Sequence, residues 1–115
     1  MLPPNQQRIM QLQSEICKIL SNARRMHILH TLRKGEMTVG DIAGSTGISQ
    51  ANASQHLALM RNRKIVVERR VGNTVYYRTA DPRINDACDI MRAVLLDQAA
   101  EDSKLVRSVA ISSRH

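Results

Sequence analysis

Thr38–Lys64 reads TVGDIAGSTGISQANASQHLALMRNRK, a short helix, a tight turn and a longer helix. Thr38 is placed to cap the first helix, its side-chain oxygen accepting a backbone N–H that lacks a partner inside the helix. Val39, Ile42 and Ala43 fall on one face at helical spacing. Gly47 suits the left-handed residue that ends a helix, and Ile48 plugs the turn. Ser49 is a second cap, after which Ala53, Leu57 and Met60 point inward. The other face carries Gln50, Asn52, Ser54 and Gln55, then Arg61 and Arg63, with no acid among them. Such a surface of hydrogen-bonding side chains suits a helix lying in a DNA major groove.

Upstream, Pro3 and Pro4 stop regular structure, and a helix is expected from about Asn5 or Gln6. Ile9, Leu12, Ile16 and Ile19 form its stripe, flanked by Met10, Cys17 and Leu20. Ser21-Asn22 breaks and caps, opening a second helix over Ala23–Leu32. Its expected stripe is Met26, Leu29 and Leu32, with Ile28 to one side; Lys34-Gly35 ends it. Glu36-Met37 has room for one strand-like pairing. Downstream, Lys64–Val71 and Thr74–Tyr77 have strand composition around Gly72-Asn73, a two-residue hairpin signal. Asp81-Pro82 opens a last helix, with Ile84, Cys88, Met91 and Leu95 as its stripe and Ala87 and Val94 widening it. That helix is expected to reach Leu105, and residues 106–115 to fray.

These elements predict one domain over residues 1–115, mainly α with a small β-hairpin: a winged helix-turn-helix. The helix-turn-helix occupies 38–63 and the wing 64–79. The end helices, 1–20 and 81–105, carry broad apolar stripes that a second copy would bury.

The 115 residues carry a net charge of +7, which points to a polyanion, nucleic acid or an anionic membrane surface. The basic charge clusters: between Arg61 and Arg83 there are seven Lys or Arg against two acids, Glu68 and Asp81. Phe and Trp are absent, which disfavours single-strand binding by aromatic stacking and favours duplex DNA. No apolar run reaches membrane-spanning length. MLPPNQQRIMQ lacks the charged start and apolar core of a signal peptide, so a cytoplasmic location is expected. In a reducing compartment Cys17 and Cys88 are not expected to form a structural disulfide. No nucleophile–base pair, phosphate loop or metal cluster suggests an enzyme.

Three runs carry a resemblance: LSNARRMHILHTL (20–32), TVGDIAGSTGISQANASQHLALMRNRKIV (38–66) and ERRVGNTVYYRTADPRI (68–84). In this order and spacing the chain resembles the ArsR (ArsR/SmtB) family of winged-helix repressors over roughly residues 16–96. The resemblance implies a homodimer joined through its first and last helices, which binds a palindromic operator on double-stranded DNA and is released by a metal or redox signal. Family members read the major groove with a central Ser, often followed by His, and a Ser one turn earlier. Those positions are Ser54, Gln55 and Ala51 here; Gln55 suits an adenine edge and Ala51 a thymine methyl. The expected DNA-contact set is Thr38, Ser49, Gln50, Ala51, Asn52, Ser54, Gln55, Arg61, Arg69, Arg70 and Asn73. Arg69, Arg70 and Asn73 would be wing contacts, or else belong to an ordinary solvated hairpin. His56 has two readings, a reach to phosphate or packing at the helix seam.

Neither metal site of the family is intact. The Cys-x-Cys position reads VGDIA. The last-helix pattern falls on Asp81, Arg83, Val94 and Asp97, or on Asp86, Cys88, Ala99 and Asp102, without either histidine. His27 and His30 share a face but are only two ligands. No metal or cofactor is expected. Cys17 and Cys88 remain as a possible sensing pair on the dimer helices, through a disulfide, a polysulfide bridge or a soft metal. They serve equally as small buried hydrophobes. Some relatives sense sulfur species through two cysteines, one of them on the second helix, where this chain has His30. The alternative to an operator-specific repressor is a winged-helix module for protein assembly or nonspecific DNA coating, without an inducer.

Overall fold

A computed structural model describes residues 1–100 and residue 109. The chain forms two compact units, Met1–Pro82 and a second one from Arg83 onward. In the first unit, α1 (Pro4–Leu20) begins with Pro4 in its first turn, where a missing N–H costs nothing. The Asn22 side chain accepts the Arg25 N–H at 3.1 Å and caps α2 (Ala23–Thr31). A 3-10 turn over Leu32–Lys34 follows. β1 (Met37–Thr38) then runs directly into α3 (Val39–Thr46), and α4 (Gln50–Asn62) follows the turn.

Gly47 ends α3 in the left-handed conformation, φ +76°, with its N–H donating to the Ala43 carbonyl at 2.9 Å. The core is the seam where α2, α3 and α4 meet. Ile28, Ile42, Ala53, Leu57 and Met60 are completely buried there, as are Ile65 and Val66 at the root of the wing. Each of these side chains except the small Ala53 contributes roughly 1.5–3 kcal/mol by leaving water. One expectation fails: Met26 is exposed and Ile28 is buried with Leu29 and Leu32. Two residues apart, Met26 and Ile28 face nearly opposite sides of α2, and α3 and α4 cover the side bearing Ile28.

The wing is β2 (Val66–Val71) and β3 (Thr74–Thr79), paired antiparallel with Val71 opposite Thr74 and Val66 opposite Thr79. Gly72 has φ +59° while Asn73 has a negative φ, the pattern of a type II′ rather than a type I′ turn. β1 adds a third strand on the far side of β3, with Met37 opposite Tyr77 and Thr38 opposite Tyr76. In the second unit, α5 (Pro82–Gln98) leaves Ile90, Met91, Val94 and Leu95 exposed within the chain. The expected extension of α5 to Leu105, and the tail except residue 109, lie outside the described residues.

Lys64 joins α4 to the wing in the left-handed region, φ +59°. Its N–H donates to the Arg61 carbonyl and the next N–H, of Ile65, to that of Met60, both at 2.9 Å. This is a Schellman cap in which a lysine stands where glycine is usual, with Ile65 and Met60 both fully buried. A side chain costs about 1–2 kcal/mol in this conformation, while glycine loses more chain entropy on folding. Lys64→Gly is therefore expected to stabilise the fold by up to about 1 kcal/mol, read as a higher urea midpoint with unchanged slope.

Candidate nucleic-acid interface

The recognition surface follows from the phase of α4. Because Ala53, Leu57 and Met60 are wholly buried, Gln50, Ala51, Asn52, Ser54 and Gln55 are left exposed together. Two of the expected contact residues are also helix caps. Thr38 Oγ1 accepts the Asp41 N–H at 3.2 Å, and Ser49 Oγ accepts the Asn52 N–H at 3.1 Å. Each hydroxyl keeps its own proton to donate. The Gln50 amide lies back over the first turn of α3: a Cβ on Gly40 would sit 3.1 Å from its Nε2.

Acids from three places hold two of the expected basic contacts, Arg61 and Arg69, and their neighbour Arg63. Arg61 pairs with Glu68 of β2 at 3.0 Å. Arg63 pairs with Glu15 of α1 at 2.7 Å. Arg69 grips the Glu36 carboxylate with two nitrogens, Nη2 at 2.7 Å and Nε at 3.0 and 3.1 Å. Its guanidinium also lies 5.1 Å from the centre of the Tyr76 ring, a cation–π contact. The Arg69 hydrogen bond, opposed by desolvation and helped by the charges of Arg69 and Arg78, holds the Glu36 carboxyl below its ordinary value. The pair therefore persists at neutral pH and is lost as pH falls through that lowered value.

The expected wing contacts Arg69 and Arg70 are divided between the faces of the sheet. Arg69 shares a face with its partner Tyr76, while Arg70, opposite Val75, points the other way. Arg70 and Lys64 are exposed and have no ion-pair partner among the described residues. Asn73 is exposed at the tip.

His56 sits half-buried at the seam of α2 and α4. Its Nδ1 accepts from Arg25 Nε at 3.2 Å. Desolvation first, then the Arg25 and Arg24 charges, lower its pKa from the ordinary 6.5. Packing, not a reach to phosphate, is what its geometry provides. Sequence reading missed Arg25, Glu15, Glu36 and Tyr76. Only Tyr76 left a signal, since pairing outward from Gly72-Asn73 sets it opposite Arg69.

Cys17 is exposed on α1, beside an open and largely apolar groove lined by Met10, Gln13, Ser14, Lys18 and Ser21. Cys88 is half-buried on α5, in the other unit. Among the described residues no group of three or more His, Cys, Asp or Glu side chains is placed to hold a metal ion. No helix among them is long and apolar enough to cross a membrane.

Residues 22–67 match the family described as bacterial regulatory protein, arsR family. The nodulation protein NolR of Rhizobium meliloti is 32% identical over 111 residues, covering 95% of this chain and 91% of NolR. The chain belongs to the arsR family. Another arsR-type relative, the transcriptional repressor SdpR of Bacillus subtilis, is 31% identical over 68% of this chain and 87% of its own. Among solved structures, the homodimeric winged helix-turn-helix DNA-binding domain of Mb0332 from Mycobacterium bovis superposes with a TM-score of 0.73. It is 28% identical, covering 83% of this chain and 88% of that one. The arsR family and these relatives are transcriptional regulators, not enzymes.

Freeing Arg69 tests how the wing's charge is held. Glu36→Gln is expected to tighten duplex binding at low salt. The slope of log affinity against log salt should steepen by about 0.9 for each cation released to phosphate, measured by fluorescence anisotropy across a salt series.

Proposed function

We propose that the protein is a homodimeric, sequence-specific repressor that binds a palindromic operator and leaves it on a thiol-directed signal. The observation that carries the DNA reading is the exposed face of α4: Gln50, Ala51, Asn52, Ser54 and Gln55, polar or small, without an acid, on a helix locked by a buried reverse face. Gln55 can pair bidentately with an adenine edge, Ser54 can donate or accept, and Ala51 fits a thymine methyl. Arg61, Arg70 and Asn73, with the cap hydroxyls of Thr38 and Ser49, supply phosphate contacts that fix register. Arg69 is withheld from phosphate by Glu36 and adds a contact only when that pair opens.

Exposed apolar side chains on both end helices support the dimer. Ile9 and Met10 on α1, and Ile90, Met91, Val94 and Leu95 on α5, are exposed large apolar side chains, a pattern that marks association surfaces. The solved Mb0332 domain is homodimeric. Two-fold pairing puts two copies of α4 about one DNA turn apart, which is why the operator is read as a palindrome. On this reading residues 1–115 act as one cytoplasmic DNA-binding domain. Cys17 and Cys88 lie on the helices assigned to pairing, so oxidation or soft-metal capture there biases the dimer between binding and released forms.

Selection of duplexes from a random-sequence library by the purified protein tests the DNA reading. A palindromic consensus is expected, with affinity falling steeply as salt rises. Ser54→Ala with Gln55→Ala should bring the selected duplex down to the affinity of a scrambled one. Equal wild-type affinity for both at fixed salt would sink the repressor reading. For the signal, polysulfide, peroxide and arsenite are each expected to release DNA from wild type. If Cys17→Ser and Cys88→Ser leave that release unchanged, the cysteines are not the sensor.

A further inference from the structure

Arg25 touches three elements at once. Its backbone N–H is held by Asn22 at the start of α2, and its Nη1 donates to the Ile19 carbonyl of α1 at 3.0 Å. Its Nε donates to His56 Nδ1 of α4 at 3.2 Å. Through one side chain the end of α1 is joined to the middle of the recognition helix. A second tie, Glu15–Arg63, joins α1 to the residue just past the end of α4. His56 follows Ser54 and Gln55 directly, so any turn of α4 about its axis that moves His56 carries both base-facing side chains with it.

An arginine can only donate hydrogen bonds and stays charged at any physiological pH. Its contact with Nδ1 therefore needs a neutral imidazole with the proton on Nε2. A second proton turns Nδ1 into a donor facing a donor and places a cation beside two others. The charges acting on His56 are those of Arg25 and Arg24, both on α2. Within one turn on α4 its neighbours Asn52, Ala53, Leu59 and Met60 are uncharged. On α1, Glu15 is engaged by Arg63, and the single charged residue of α3, Asp41, lies in its first turn beside the Thr38 cap.

We propose that Arg25 and His56 are positioning residues for DNA reading: neutral His56, gripped by Arg25 against the end of α1, holds α4 in the orientation that binds the operator. This rests on the DNA-reading function proposed above. The acidity at which the grip is lost is also the acidity at which DNA is released. The sign separates the two roles a histidine can play here. One that meets phosphate binds DNA more tightly when protonated, because charge is added. One that positions the helix in its neutral form binds less tightly.

The test uses the full chain and the duplex it selects from a random library, with affinity measured from about pH 7.5 to about pH 5.5 at constant ionic strength. Wild type is expected to weaken on acidification, by up to about tenfold per pH unit for each His56 in the bound species. His56→Gln offers Oε1 to Arg25 and has no proton to gain. It should bind about as well as wild type at the upper pH and stay flat over the range. Arg25→Met, checked for intact helix content by circular dichroism, should bind weakly throughout. Wild-type affinity that is flat or tightens on acidification overturns the proposal, as does a His56→Gln variant with the wild-type slope. Specific binding at the upper pH with either of those results leaves the repressor reading standing and removes only the positioning role. Failure to select any duplex removes both.

Discussion

The contact on which the molecule depends is the seam of Ile28, Ile42, Leu57 and Met60, from which water is completely excluded. Truncating one buried leucine of this kind removes about 2–5 kcal/mol. A small domain has only about 5–15 kcal/mol in total. Losing Leu57 would thus consume a large part of the stability. The seam also fixes function, because α4 has one rotational setting that buries Ala53, Leu57 and Met60 together. With that face buried, Ser54 and Gln55 are left facing outward. The exposed face of α4 at Gln50, Ala51, Asn52, Ser54 and Gln55 is polar or small, with Leu59 exposed one turn beyond Gln55. It is held in place by what lies behind it.

Around the seam the electrostatics serve orientation more than stability. With a net charge of +7, this protein still commits acids from α1, the β1 approach and β2 to Arg63, Arg69 and Arg61. Exposed pairs of this kind contribute little to folding. They do hold long side chains in one place, and the Tyr76 ring adds a cation–π contact to Arg69. Each acid also competes with phosphate for its arginine, so these pairs temper the basic surface more than they stabilise the fold.

Local chemistry was legible in the sequence wherever one residue decides the outcome. Asn22, Thr38 and Ser49 cap as their side chains dictate, Gly47 turns left-handed, and Gly72-Asn73 closes the hairpin. The faces of α4 follow from spacing alone. Which side of α2 is buried did not follow, because it depends on where α3 and α4 dock. The engagement of the arginines was equally hidden: Arg63 meets a partner 48 residues away and Arg69 one 33 residues away. Such pairs exist only once the helices and the sheet are assembled. A charge cluster in sequence shows that cations are near one another, not which acids come to meet them.

Thr38 is the last residue of β1 and also the cap of α3. The sheet and the helix pair therefore share a residue instead of being joined by a linker. One residue inserted there would turn the Thr38 side chain to the opposite face of the strand and remove the oxygen from the start of α3. The hairpin tip at Gly72-Asn73 meets no such constraint, since added residues there project into solvent. Length variation among descendants of this chain is thereby channelled. The wing's reach is free to drift, while its offset from the recognition helix is inherited unchanged.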